Sequence, residues 1–181
     1  MRAIHILAAA CIAVLLFVAC GGGGQPSGVN ADPQVDHSPD QLRSALDLDL
    51  SSEALDNGIY RILLHGRHAK DLYQIGATLE FDPALYEIVL VEAGGGLGGP
   101  HESYFIDGLT KPGKLDFAYT RRWFGDGISG DPLLLSVKVR PLGKFNKQDF
   151  RIDTSAAAIR VRDSKKQEMP FTYKGKVVGN E

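Results

Sequence analysis

The chain has 181 residues, 44% hydrophobic and 23% charged, with 21 Gly, 9 Pro, 2 Cys and a formal net charge of -2. That is the balance of one modest globular domain, too short for a TIM barrel. It carries no basic stripe or acidic tail of the kind that nucleic-acid partners require, so no nucleic acid is expected.

Met1-Arg2 is followed, after His5, by an apolar run over 6–19, long enough for an export-signal core and shorter than the roughly 20 residues of a spanning helix. The run ends Leu16-Phe17-Val18-Ala19-Cys20, which resembles the bacterial lipobox, although Phe17 stands where leucine is usual. The resemblance implies a signal peptide over 1–19 and lipid on Cys20. Cys11 would leave with the signal, so no internal disulfide is expected. The mature protein would then be a lipoprotein of the bacterial cell envelope, held by acyl chains on the extracytoplasmic side of a membrane, the outer membrane being the first expectation.

Residues 20–41 contain Gly21 to Gly24, Pro26, Gly28, Pro33 and Pro39 among polar side chains, the composition of a flexible tether. Some 20 residues of this kind would hold a domain roughly 25 Å from its anchor, giving clearance from the bilayer. The remainder, 42–181, reads as one domain with no internal repeat, and helical spacing is confined to 41–46.

The domain reads as strand after strand. Leu46, Leu48 and Leu50 alternate with Asp47 and Asp49, a period of two with one apolar face. A second run covers 59–65, between Asn57-Gly58 and Gly66. The clearest strand spans 73–81, with Tyr73, Ile75, Ala77, Leu79 and Phe81 on one face and Gln74, Gly76, Thr78 and Glu80 on the other. Asp82-Pro83 then stops it, because proline has no N–H for the ladder. Asp82 is expected to accept local backbone hydrogens, with Leu85 and Tyr86 folding back onto the core. Further runs lie at 86–91, 103–106, 115–120, 133–140, 150–152, 159–161 and 171–178. Some nine short strands separated by Gly, Pro, Asp and Asn indicate an all-β sandwich.

The order of features resembles the cohesin family. The resemblance begins at Asp71-Leu72-Tyr73, runs through Ala77-Thr78-Leu79-Glu80-Phe81-Asp82-Pro83-Ala84-Leu85-Tyr86, and resumes at Lys114-Leu115-Asp116-Phe117-Ala118-Tyr119. It continues through Gly127-Ile128-Ser129-Gly130 into the strand from Leu133. About 120 residues are covered. Asp163-Ser164-Lys165-Lys166-Gln167-Glu168 departs from the family's usual hairpin, and Arg121-Arg122-Trp123-Phe124 is bulky for its loop. The resemblance implies a cohesin-like jelly-roll β-sandwich. Cohesins bind dockerins, small calcium-loaded helical modules, through one sandwich face, and such domains also occur in bacteria without cellulosomes. A protein partner, dockerin-like or another envelope protein, is therefore expected. The outward residues Gln74, Thr78, Glu80, Asp116 and Thr120 would lie on or near the binding face.

The other chemistry is sparse. Gly94, Gly96 and Gly99 satisfy a dinucleotide fingerprint, but Pro100-His101-Glu102 follows where a phosphate-binding helix would begin, so a mobile loop is expected. His65 and His68 lack the spacing and intervening acid of a zinc-protease helix. Glu102, Asp107, Asp116 and Asp126 supply acids without evidence that any two face each other, as glycosidase chemistry requires. No Gly-x-Ser-x-Gly elbow occurs, so no enzyme, metal or cofactor is expected. Arg121, Arg122, Trp123 and Phe124 form a second candidate binding site, since Trp and Arg are common anchors; a cap on the sandwich end is the structural alternative. Carbohydrate binding through Trp123, Tyr119 and Tyr104 stands as the alternative function, and a structural envelope component as a third.

Overall fold

A computed structural model describes residues 45–174 and the backbone of 176–178. The expected signal, Cys20, the tether and most of 41–46 lie outside the described residues. Twelve strands are found among the described residues: β1 (Leu46–Ala54), β2 (Tyr60–Arg67), β3 (Ala69–Glu80), β4 (Tyr86–Ala93), β5 (Ser103–Lys111), β6 (Lys114–Arg121), β7 (Ile128–Gly130), β8 (Leu133–Pro141), β9 (Arg151–Ile152), β10 (Arg160–Asp163), β11 (Phe171–Tyr173) and β12 (Lys176–Val178). They form two sheets. One runs β12-β11-β1-β2-β8-β4; the other runs β10-β3-β6-β5, with β7 and β9 also on β3.

The expected sandwich is present. The run at 150–152 is β9; two further short pieces, β7 and β12, the latter splitting the run at 171–178 into a hairpin, bring the number to twelve. Period-two patterning fills the space between the sheets. Leu46, Leu48, Leu50, Ile62, Leu64, Val137 and Val139 come from one side; Ile75, Ala77, Leu79, Leu115, Phe117 and Tyr119 come from the other. Burying side chains of this size stabilises the fold by about 1.5–3 kcal/mol each.

One departure from strict alternation matters for the site. Arg162 pairs with Gln74 but Asp163 pairs with Leu72, so Tyr73 is an extra residue and β3 bulges there. Leu72 is buried in consequence and Tyr73 is half-buried. Beside the bulge Asp71 adopts a left-handed φ of 61°.

The Asp82-Pro83 turn forms as expected. The Asp82 carboxylate accepts the Ala84 N–H at 2.8 Å, and its carbonyl accepts the Leu85 and Tyr86 N–H groups. Tyr86 reaches the core, where its hydroxyl donates to Asp149 Oδ2 at 2.6 Å and accepts the Asn146 N–H at 2.9 Å. Burial first, and Asp149 second, push its phenol pKa up. Leu85 does not fold back. It is 44% exposed, because the turn ends with its carbonyl accepting the Leu142 N–H at the surface.

The glycine loop is anchored rather than loose. Gly94 and Gly96 donate to the carbonyls of Leu134 and Leu133, and a Cβ on either would lie within 2.4 Å of Leu133 backbone. Leu97 is fully buried, and the Tyr119 hydroxyl accepts its N–H while donating to Gly98 O at 2.7 Å. The next element is β5, not a helix.

Candidate binding surfaces

Strand register fixes which side chains share the outer face of the β10-β3-β6-β5 sheet. The first row is Arg162, Gln74, Thr120 and Tyr104. Next comes Arg160, Gly76, Ala118 and Ile106. A third holds Thr78, Asp116 and Gly108, with Ala157 and Ala158 beside Thr78 where the chain leaves β3 between β9 and β10. Three strand spacings separate the outer strands, about 14 Å. Small residues thus form a floor between two arginines on one side and Tyr104 and Ile106, 56% and 68% exposed, on the other. A cleft of about 270 Å³ lies over Gln74, Gly76, Thr78 and Asp116.

The five face residues expected from the sequence therefore share one surface, but not equally. Thr78 is buried, 7% exposed, a correction to its expected outward role: its hydroxyl donates to Asp116 Oδ1 at 2.5 Å, and Ala157 and Ala158 line the cleft beside it. Glu80 is committed to Lys114 Nζ at 2.7 Å and Arg151 Nε at 2.6 Å. Those two hydrogen bonds, Lys114's first, hold its carboxyl below the usual range. Gln74 and Asp116 stay half-buried on the open floor, and the Thr120 hydroxyl donates to Arg121 O at 3.2 Å. Sequence reasoning missed Gly76, Ile106, Ala118, Arg160 and Arg162. Arg162 Nε is buried with no hydrogen-bond partner among the described residues.

The opposite outer face differs in kind. It is laced with ion pairs: Arg61 to Glu53, Arg67 to Asp49, Lys138 to Glu92 and Arg140 to Glu87. Charges satisfied among themselves in water make a solvated surface, whereas the centre of a protein interface is poor in charge and rich in aromatic residues and Arg.

The 121–124 segment joins the first surface at its end. Arg122 Nε donates to Ser103 O at 2.9 Å, and its guanidinium lies 3.8 Å from the Tyr104 ring centroid. Tyr73 Oη donates to Trp123 O at 2.7 Å and Trp123 Nε1 to His101 O at 3.3 Å. The backbone is thus held while the side chains stay out. Trp123 is 70% exposed and Phe124 fully exposed, so neither caps the sandwich end. Tyr119, expected as a sugar-stacking face, is wholly buried, edge-on to Phe105 at 5.7 Å. Among the described residues no three His, Cys, Asp or Glu side chains gather as a metal site.

No protein-family model matches the chain, and no curated protein matches it. Solved structures do. The sixth cohesin of scaffoldin B from Acetivibrio cellulolyticus, solved with a dockerin, aligns at a TM-score of 0.53 with 16% identity over 76% of this chain and 98% of its own. This domain has a cohesin-like fold. A Clostridium thermocellum type I cohesin, solved in complex with a dockerin, aligns at 0.54 with 13% identity, covering 72% of this chain and 89% of its own. The cohesin module of a family 33 glycoside hydrolase from Clostridium perfringens gives 0.53 at 12% identity, covering 74% and 96%. The cohesin-like domain therefore shares an architecture with these modules at low sequence identity.

Proposed function

We propose that this cohesin-like domain is an extracytoplasmic protein-binding module that receives its partner on the outer face of the β10-β3-β6-β5 sheet. The contrast between the two outer faces carries the reading. On one, paired charges span the sheet; on the other they are confined to the Glu80, Lys114, Arg151 and Asp153 end, leaving a floor of Gly76, Ala118 and Gly108 between Tyr104, Ile106 and two arginines. A span of about 14 Å accepts a helix, whose diameter with side chains is about 10–12 Å. The dockerins bound in two of the solved relatives make a helical dockerin-type module the first partner to test. The export signal and Cys20 support lipid anchoring on the outer side of a membrane, with Cys20→Ser expected to release the protein and abolish palmitate labelling. Carbohydrate binding has less support, since Tyr119 is buried and Arg122 covers one face of Tyr104.

The test is photo-crosslinking in the native envelope, with benzoylphenylalanine at position 118 on the floor or at position 63 on the opposite face. The expected result is one defined protein adduct from 118 and none from 63. Loss of that adduct on calcium chelation would mark a dockerin-type partner. Adducts from 63 alone would overturn the choice of face.

A further inference from the structure

The tip formed by Trp123 and Phe124 stands at the end of the sheet face and off its floor, and its place in the fold gives it a further role. Asp47 pairs with Arg67 and Leu48 with Gly66, so β1 begins where β2 ends. Across the sandwich, Leu72 pairs with Ile128, Gln74 with Thr120 and Ser103 with Arg121. The start of β1, the turn at His68, the beginnings of β3 and β5, and the whole 121–127 segment therefore lie at one end of the domain. Close packing of Leu46 under Gly66, beside Leu72, fixes this: a Cβ on Gly66 would come within 2.9 Å of Leu46 Cδ1 and 3.7 Å of Leu72 Cδ2. The chain from Cys20 thus joins the domain at the end that carries the aromatic tip.

Chemistry at that end suits a bilayer surface. Trp123 and Phe124 project side by side in sequence, the Trp123 carbonyl held by the Tyr73 hydroxyl and the indole N–H donating to His101 O, with both rings exposed. Indole and phenyl rings favour the headgroup boundary of a membrane. Around them, Lys70, Lys165 and Lys166 are exposed at the same end, Lys165 and Lys166 in the turn that Asp71 ties to β3 through Ser164. Together with Arg121 they form no ion pair among the described residues. Exposed Glu102 and Asp126 stand among them, so the charge of this end is mixed and the aromatic rings carry the contact.

We infer that the Trp123-Phe124 tip docks on the lipid bilayer, so that the tethered domain sits end-on against its membrane. This rests on the anchor at Cys20 for local concentration and not on the partner proposed for the sheet face. The tether that the composition of 20–41 implies, with a mean reach of roughly 25 Å, would permit such contact as readily as clearance. Docked this way, the domain holds Asp116 about 13 Å further from the bilayer than Thr120, at some 3.3 Å per residue along β6, leaving the floor of the sheet open.

Trp123 is the chain's only tryptophan, so its fluorescence reports the tip alone. The lipidated protein is reconstituted in phosphatidylethanolamine and phosphatidylglycerol vesicles at 3:1, with or without brominated acyl chains. Flotation reads the anchor separately: protein that fails to float refutes the anchor, and the emission of Trp123 with added vesicles still reads docking. Expected are blue-shifted emission, quenching by brominated lipid, and at least twofold protection from acrylamide. Phe124→Ser should reverse these shifts, while Ala118→Arg should leave them unchanged. Water-like emission without lipid quenching would overturn the inference. So would acrylamide protection without lipid quenching, which would mean that the tip lies against protein or polysaccharide.

Discussion

Asp71 ties three segments at the end of the sandwich where β1 begins, and its removal has a calculable effect. Its carboxylate accepts the Gly127 N–H at 2.5 Å and the Ser164 hydroxyl at 2.6 Å, with a longer contact to the Ser164 N–H at 3.3 Å. The Ser164 hydroxyl first, and Gly127 second, hold its pKa below the usual carboxylate range. A hydrogen bond to a buried charged group contributes about 1.5–3 kcal/mol; half-burial and solvent screening reduce each short one here to about 1 kcal/mol. Asp71→Asn keeps one acceptor and tolerates the left-handed φ, so the expected loss is about 1–1.5 kcal/mol of a total on the order of 5–15. Asp71→Ala loses every acceptor and adds backbone strain, for about 3 kcal/mol. Because the folded state favours the ionised carboxylate, its contribution is complete above the unfolded pKa and disappears as pH falls through the folded value. Urea unfolding at pH 7 and pH 2.5 reads both effects. The Asn variant should be less stable at pH 7 and close to the parent at pH 2.5. A deficit under about 0.5 kcal/mol at pH 7, or one unchanged at pH 2.5, would refute the reasoning.

Gly127→Ala should destabilise by about 1–3 kcal/mol in thermal unfolding, since a Cβ there would lie 2.3 Å from the Asp71 backbone, which the bulge holds in place. Tyr86→Phe leaves the Asn146 N–H and Asp149 without the hydroxyl they share; urea titration should show a loss of about 1–2 kcal/mol. Glu80→Gln should lower the pKa of Lys114, which Glu80 and Asp153 now raise, a change that NMR titration of the Lys114 Nζ signal would detect. Leu97→Ala should cost about 2–5 kcal/mol if the glycine loop is part of the core, and calorimetry showing no change in Tm would contradict that.

The sandwich was legible because most strands keep one apolar face, so period two marked them without tertiary information. A strand as short as β7 offers too few residues to show any period. The bulge at Tyr73 was hidden for a different reason: it depends on where Arg162 and Asp163, some 90 positions later, meet β3. Leu97 looked like a loop residue among glycines, and only the closeness of Leu133, which those glycines permit, places it in the core. At the site, alternation placed Gln74, Asp116 and Thr120 on this face, but could not show that Thr78 turns its hydroxyl to Asp116 or that Arg151 claims Glu80. Tyr104-Phe105-Ile106 is apolar at all three positions, so sequence gave no sign that only Phe105 turns inward.

The central claim concerns the floor between the two arginines and the Tyr104-Ile106 edge. Its most direct measurement is calorimetric titration of the partner crosslinked at position 118 into the parent protein and into Ala118→Arg, with Tm recorded for both. A long cation at the centre of a packed interface should weaken binding by about 30-fold or more, the scale of a hot-spot loss, with Tm unchanged. Binding within about threefold of the parent, on a variant that is fully folded, would contradict the account.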